Sequence, residues 1–233
     1  MEPTTTCTET FTVEDVAAWC RAFIEKYNEL TPFVLLNCPD GLYAVDVRAH
    51  WSSQQARADA INNIGVLLGF GLNVQQFIAP MDTWIRGLDK PADWSPTDDD
   101  LETLMSTLPD AQDDPNTREG LLISWYNRDE PHMNHSYQQL YTREVTLDGT
   151  TYTWEEPSQE HTELKDYTFG AFWEGVAKSE SWDDPSIHPA RAAKDGHTLE
   201  EHMAAGRKVA LAMADKLGLR WTSLAPGTLQ HRA

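Results

Sequence analysis

The sequence is poor in positive charge. Of its 233 residues, 37 are acidic and 18 are Lys or Arg, giving a formal net charge of -19 at pH 7. A chain without basic reserve is repelled by duplex nucleic acid and by anionic bilayers, so direct binding to either is not expected. Cysteine is scarce as well. Cys7, Cys20 and Cys38 are odd in number and form no CxxC pair, which fits reduced thiols in the cytosol best. No apolar run reaches the roughly 18 residues needed to span a bilayer, and no basic segment leads into an apolar one near Met1. A cytoplasmic location is therefore the expectation.

Familiar chemical signatures are missing too. The sequence has no GxGxxG or GxxxxGK[ST] phosphate loop, no GxSxG nucleophile turn, no HExxH pair and no EF-hand spacing. These absences remove the readily recognised nucleotide, acyl-transfer, zinc and calcium sites, and no cofactor is expected. An acidic chain of this kind is compatible with a solvated surface, with high salt, or with mimicry of nucleic-acid charge.

What is present is a globular composition: 40% hydrophobic and 10% aromatic residues, nine of them tryptophan. Residues 1–11 are Thr-rich and read as a loose arm before a single domain over 12–233. Thr12 and Asp15 make a helix start, followed by apolar residues at helical spacing from Val13 to Tyr27. Phe33–Asn37 and Leu42–Val47 flank a Pro-Asp-Gly turn and predict a hairpin. A second helix is expected from Ser52 or Ser53, carrying Ala56, Ala60, Ile64, Leu67 and Leu68. Strands follow near 73–80 and 119–126, and Ser136–Leu147 turns through Asp148-Gly149 into Thr150–Trp154 as another hairpin. The acidic stretch 155–165 reads as an exposed connector, and Asp166–Ala177 as a short helix or buried turn. Thr198 and Glu201 form a capping box for a closing helix with a stripe of Leu199, Met203, Gly206, Ala210, Met213 and Leu217. This order predicts an α+β domain: one mixed, mostly antiparallel sheet with helices packed on one face. A monomer or weak homodimer is expected.

Chemistry points to two places. The first is an acidic insertion from Gly87 to Thr117 between two aromatic-ended strands. It carries Trp94 and the run Asp98, Asp99 and Asp100. Trp84 and Arg86 stand before it, and Arg118 after it. A tryptophan framed by charge suits partner recognition, although Trp84 and Trp125 also read as core. Asp82, Arg86, Arg118 and Glu119 read as a latch at the base of the insertion. The second is the loop Asn127–His135, where Asp129, His132 and His135 are metal-ligand types without a diagnostic spacing.

The run FIAPMDTWIRGL, the acidic stretch and DDPNTREGLLISWYNRD together resemble an uncharacterised group of bacterial and phage proteins over about residues 59–129. The resemblance implies an accessory protein encoded by a phage or prophage, and assigns no activity. The expected function is thus protein–protein interaction by a non-enzymatic protein. The alternatives are an acidic DNA mimic that inhibits a nucleic-acid-binding protein, and a metal-dependent enzyme using Asp129, His132 and His135.

Overall fold

A computed structural model of the chain describes residues 12–50, 53–69, 71–86, 114, 117–163, 167–180 and 198–224. The elements in order are α1 (Val13–Tyr27), β1 (Phe33–Cys38), β2 (Gly41–Asp46), α2 (Gln54–Ile64), β3 (Gln76–Arg86), β4 (Thr117–Asn127), β5 (Met133–Thr146), β6 (Gly149–Trp154), β7 (Ser158–Glu163), α3 (Tyr167–Glu180), α4 (Leu199–Lys216) and β8 (Trp221–Leu224). Residues 65–69 continue α2 as a π-helical turn.

The eight strands form one sheet in the order β6-β5-β4-β3-β1-β2-β8, with β7 paired to β5. Every pairing is antiparallel. The α+β class and the single antiparallel sheet are those expected. Local signals account for the starts and stops. Thr12 with Asp15 and Thr198 with Glu201 form complete capping boxes, Ser53 caps α2, and Gly41 and Gly149 take positive φ where the two hairpins turn.

Side chains alternate across the strands and feed two cores. On one face Val34, Leu36, Val45 and Phe77 meet Ile61, Ile64, Leu68, Phe172, Val176, Ala210 and Ala214, which come from α2 and its π turn, α3 and α4. On the other, Leu35, Ile78, Leu121, Ile123, Tyr137 and Tyr141 meet Val16, Ala17, Cys20 and Ile24 of α1. Among the described residues the helices therefore cover both faces, α1 alone on its side, and not the one face expected. A single sheet with buried residues at both parities of β1 and β3 requires cover on both faces.

Two further expectations need correction. The stretch taken as a connector contains β7, whose six residues pair with Met133–Gln138 of β5. Its sequence, SQEHTE, offers no apolar alternation because its pairing is through backbone. Tyr141 pairs with Trp154 and Gln138 with Ser158. Two residues of β5 thus face three, Glu155 to Pro157, and β6 and β7 are one strand broken by a bulge. Among the described side chains of α4 the buried positions are Gly206, Ala210 and Ala214, whereas Met213 and the capping Leu217 are 43% and 64% exposed; Leu199 and Met203 lie outside the described side chains. Small residues pack inward there, Ala210 and Gly206 against Gly71 just after the π turn, while Met213 and Leu217 face outward.

Candidate functional site

β3 and β4 are neighbours along their whole lengths, from Gln76 opposite Asn127 to Arg86 opposite Thr117. This ladder is the scaffold on which both sequence-predicted sites stand, one at each end. Pro80, with no N–H for a ladder, comes two residues after pairing with β1 stops at Ile78.

At the far end, Arg86 and Thr117 lie opposite each other, so the insertion leaves and returns at one point and comprises residues 87–116. Thr117 itself belongs to β4. Trp94, Asp98, Asp99 and Asp100 lie outside the described residues, as does the Arg86 side chain. Asp114 is the one described residue of the insertion; it is buried, and its carbonyl accepts from the Thr117 amide at 3.0 Å.

Trp84 is 47% exposed and pairs in register with Glu119. The expected latch does not form among the described side chains. Arg118 donates to Glu155 Oε1 at 2.6 Å, and Arg143 donates to Glu119 Oε1 at 2.9 Å. Tyr141 donates its hydroxyl to Asp82 Oδ1 at 2.7 Å. Burial of Asp82 disfavours its charge and raises its carboxyl above the usual range, against the lowering effect of the Tyr141 hydrogen bond. Each group turns toward β5 or the bulge after β6, because the sheet continues there and supplies partners.

The hairpin that receives them is fastened to α1. The ring of Tyr141 lies 4.6 Å from that of Trp154 and 5.6 Å from that of Tyr152. Trp154 Nε1 donates to Glu25 Oε1 at 2.8 Å, and Tyr152 donates to Asn28 Oδ1 at 2.9 Å. Trp84 therefore projects from a braced platform.

At the near end, Asp129 and His132 are exposed. His135 lies on β5, its ring stacked on Trp125 at 5.4 Å and 17°. The Pro131-His132 turn separates the two imidazoles: one points to water, the other packs on the sheet. His135 Nε2 is 3.6 Å from Glu130 Oε2 and 3.4 Å from Asn127 Nδ2. Among the described residues, no group of three or more His, Cys, Asp or Glu is placed to hold a metal ion.

Sequence reasoning missed the polar row that His135 completes. Asn37 Nδ2 is 3.5 Å from Gln76 Oε1, and Gln76 Nε2 donates to Asn127 Oδ1 at 3.0 Å. Asn127 then reaches His135. Three carboxamides and an imidazole thus cross β1, β3, β4 and β5. Their chain positions, 37, 76, 127 and 135, give no local pattern; only strand register aligns them. Cys20 and Cys38 are buried, and burial pushes both thiols up, away from the reactive thiolate.

Compared with protein-family models, with curated proteins and with solved structures, the chain matches none.

Proposed function

We propose that the protein is a non-enzymatic binding protein that recognises a protein partner at the insertion end of the β3–β4 ladder. The observation that carries this reading is the exposure of Trp84, 47% open to solvent at the base of the acidic insertion. A large aromatic held on a rigid strand loses little conformational freedom on binding and offers much apolar area. The surrounding chemistry favours a partner with basic groups at its rim, since the chain as a whole carries -19. Trp94 and Asp98 to Asp100 extend the same surface in this reading, with Arg86 and Arg118 at its margin. We further propose a cytoplasmic accessory protein of phage or prophage origin.

The test is quantitative capture of a partner from host-cell extract by immobilised protein, comparing wild type with Trp84→Ala and Trp94→Ala. Each variant should reduce the specifically captured band about tenfold, the effect of losing roughly 1.4 kcal/mol of binding. Undiminished capture by both variants would remove the surface from consideration. Capture that is displaced by duplex DNA and weakened by salt would move the reading to charge mimicry.

A further inference from the structure

The near end of the same ladder holds a second feature, separate from the partner surface. A polar cleft of about 490 Å³ is lined by Gln75, Gln76, Asn127, Arg128 and Asp129. That size lies within the roughly 300–1,000 Å³ of small-ligand clefts. Its wall is rigid. Gln76 and Asn127 lie opposite each other at the start of the ladder and are hydrogen-bonded to each other. Arg128 NH1 donates to Asn73 Oδ1 at 2.6 Å, and the Arg128 amide donates to the Gln75 carbonyl at 2.9 Å.

The lining is chemically specific. A carboxamide has two N–H donors and two lone-pair sites on its oxygen. Gln76 accepts from Asn37 through Oε1 and donates to Asn127 through Nε2. Among the described residues, one donor and one acceptor site on its carboxamide remain. Asn127 likewise spends its oxygen on Gln76 and its nitrogen on His135. Gln75 donates Nε2 to Asn73 and carries Oε1 as a further acceptor. The cleft therefore presents donors and acceptors side by side. It also carries one cation, Arg128, and one anion, Asp129, so it is locally neutral within a strongly acidic chain.

Gln76 also walls a smaller hollow of about 90 Å³, shared with Val13, Ile78 and Trp125. An apolar surface thus stands next to the polar row. Ligands that both donate and accept at many neighbouring positions, carry no net charge and have an apolar C–H face are sugars. We propose that this cleft binds a neutral saccharide of monosaccharide to disaccharide size, its hydroxyls on Gln75, Gln76, Asn127, Arg128 and Asp129 and a ring face toward Trp125.

The experiment is saturation-transfer-difference NMR on the full chain, with glucose, mannose, galactose and N-acetylglucosamine as separate probes. Transfer to the ring protons of at least one sugar is expected. Gln75 and Asp129 are exposed, so a Gln75→Ala/Asp129→Ala variant should keep its fold. It should weaken binding about fivefold or more, as loss of a hydrogen bond of about 1 kcal/mol would. Trp84→Ala should leave the transfer unchanged, which separates this site from the partner surface. No transfer to any of the four sugars, or transfer undiminished in the double variant, would overturn the proposal.

Discussion

Gly65 and Gly175 lie against each other where α2 runs into its π turn and crosses α3. A methyl group on Gly65 would stand 2.1 Å from the Phe172 carbonyl oxygen, and one on Gly175 would stand 2.2 Å from the Asn62 carbonyl oxygen. Both obstacles are backbone, which cannot move aside as a side chain can. Asn62 adds a hydrogen bond across the same crossing, Nδ2 to the Ala171 carbonyl at 2.9 Å. Gly65→Ala and Gly175→Ala should each cost about 1–3 kcal/mol by overpacking, read from urea denaturation. Gly206, buried in α4, has no described atom within 4 Å of where its Cβ would be. There Ala should stabilise by about 0.5–1 kcal/mol, the gain from replacing a helical glycine. A larger cost at Gly206 than at Gly65 and Gly175 would refute this packing.

The bulge between β6 and β7 is held by a buried side chain. Gln139 Nε2 donates to the Glu155 carbonyl at 2.7 Å, while Gln139 Oε1 accepts from Arg21 NH1 at 2.7 Å and from the Tyr137 hydroxyl at 2.8 Å. Removing the carboxamide leaves three polar partners short at once. Gln139→Ala should cost about 1–3 kcal/mol, the price of unsatisfied buried polar groups. Paired with Arg21→Met in a double-mutant cycle, it should show coupling above about 0.5 kcal/mol. Strict additivity would mean that α1 and β5 are not joined through this contact.

Asp82 gives a pH signature. Its folded carboxyl is raised by burial, so the folded state holds the proton more tightly than the unfolded chain. The stability tied to that proton is complete below the unfolded value and is lost as pH rises through the folded one. Asp82→Asn removes the titration while keeping an acceptor for Tyr141. The melting temperature of the variant minus that of wild type should therefore increase as pH rises from the ordinary carboxylate range to just above it. A difference that is flat or falls with pH would contradict the direction of the shift.

Much of this fold is legible where the determinant is local. Thr12 with Asp15, Thr198 with Glu201, and the glycines at 41 and 149 mark helix starts and hairpin turns within four residues of sequence. The edge strand β7 is hidden because an edge can pair through backbone alone. Gly65 is hidden because a helical glycine reads as a weak point until its neighbour is known. The site divides the same way. The aromatic and charged cluster at 84–86 is visible in sequence, but the exposure of Trp84 is a tertiary fact. His132 and His135 look alike at a spacing of three, and the Pro131 turn sends only His135 onto Trp125. The row of Asn37, Gln76, Asn127 and His135 exists only once four strands are in register.

The most direct measurement of the central claim is site-specific photo-crosslinking in host-cell extract, with a photoreactive phenylalanine analogue placed at position 84 in one variant and at position 213 in another. Met213 is a fair control, being 43% exposed on α4 against 47% for Trp84. The account predicts a discrete protein adduct from position 84 and none from position 213. No adduct from position 84, or the same adducts from both positions, would contradict it.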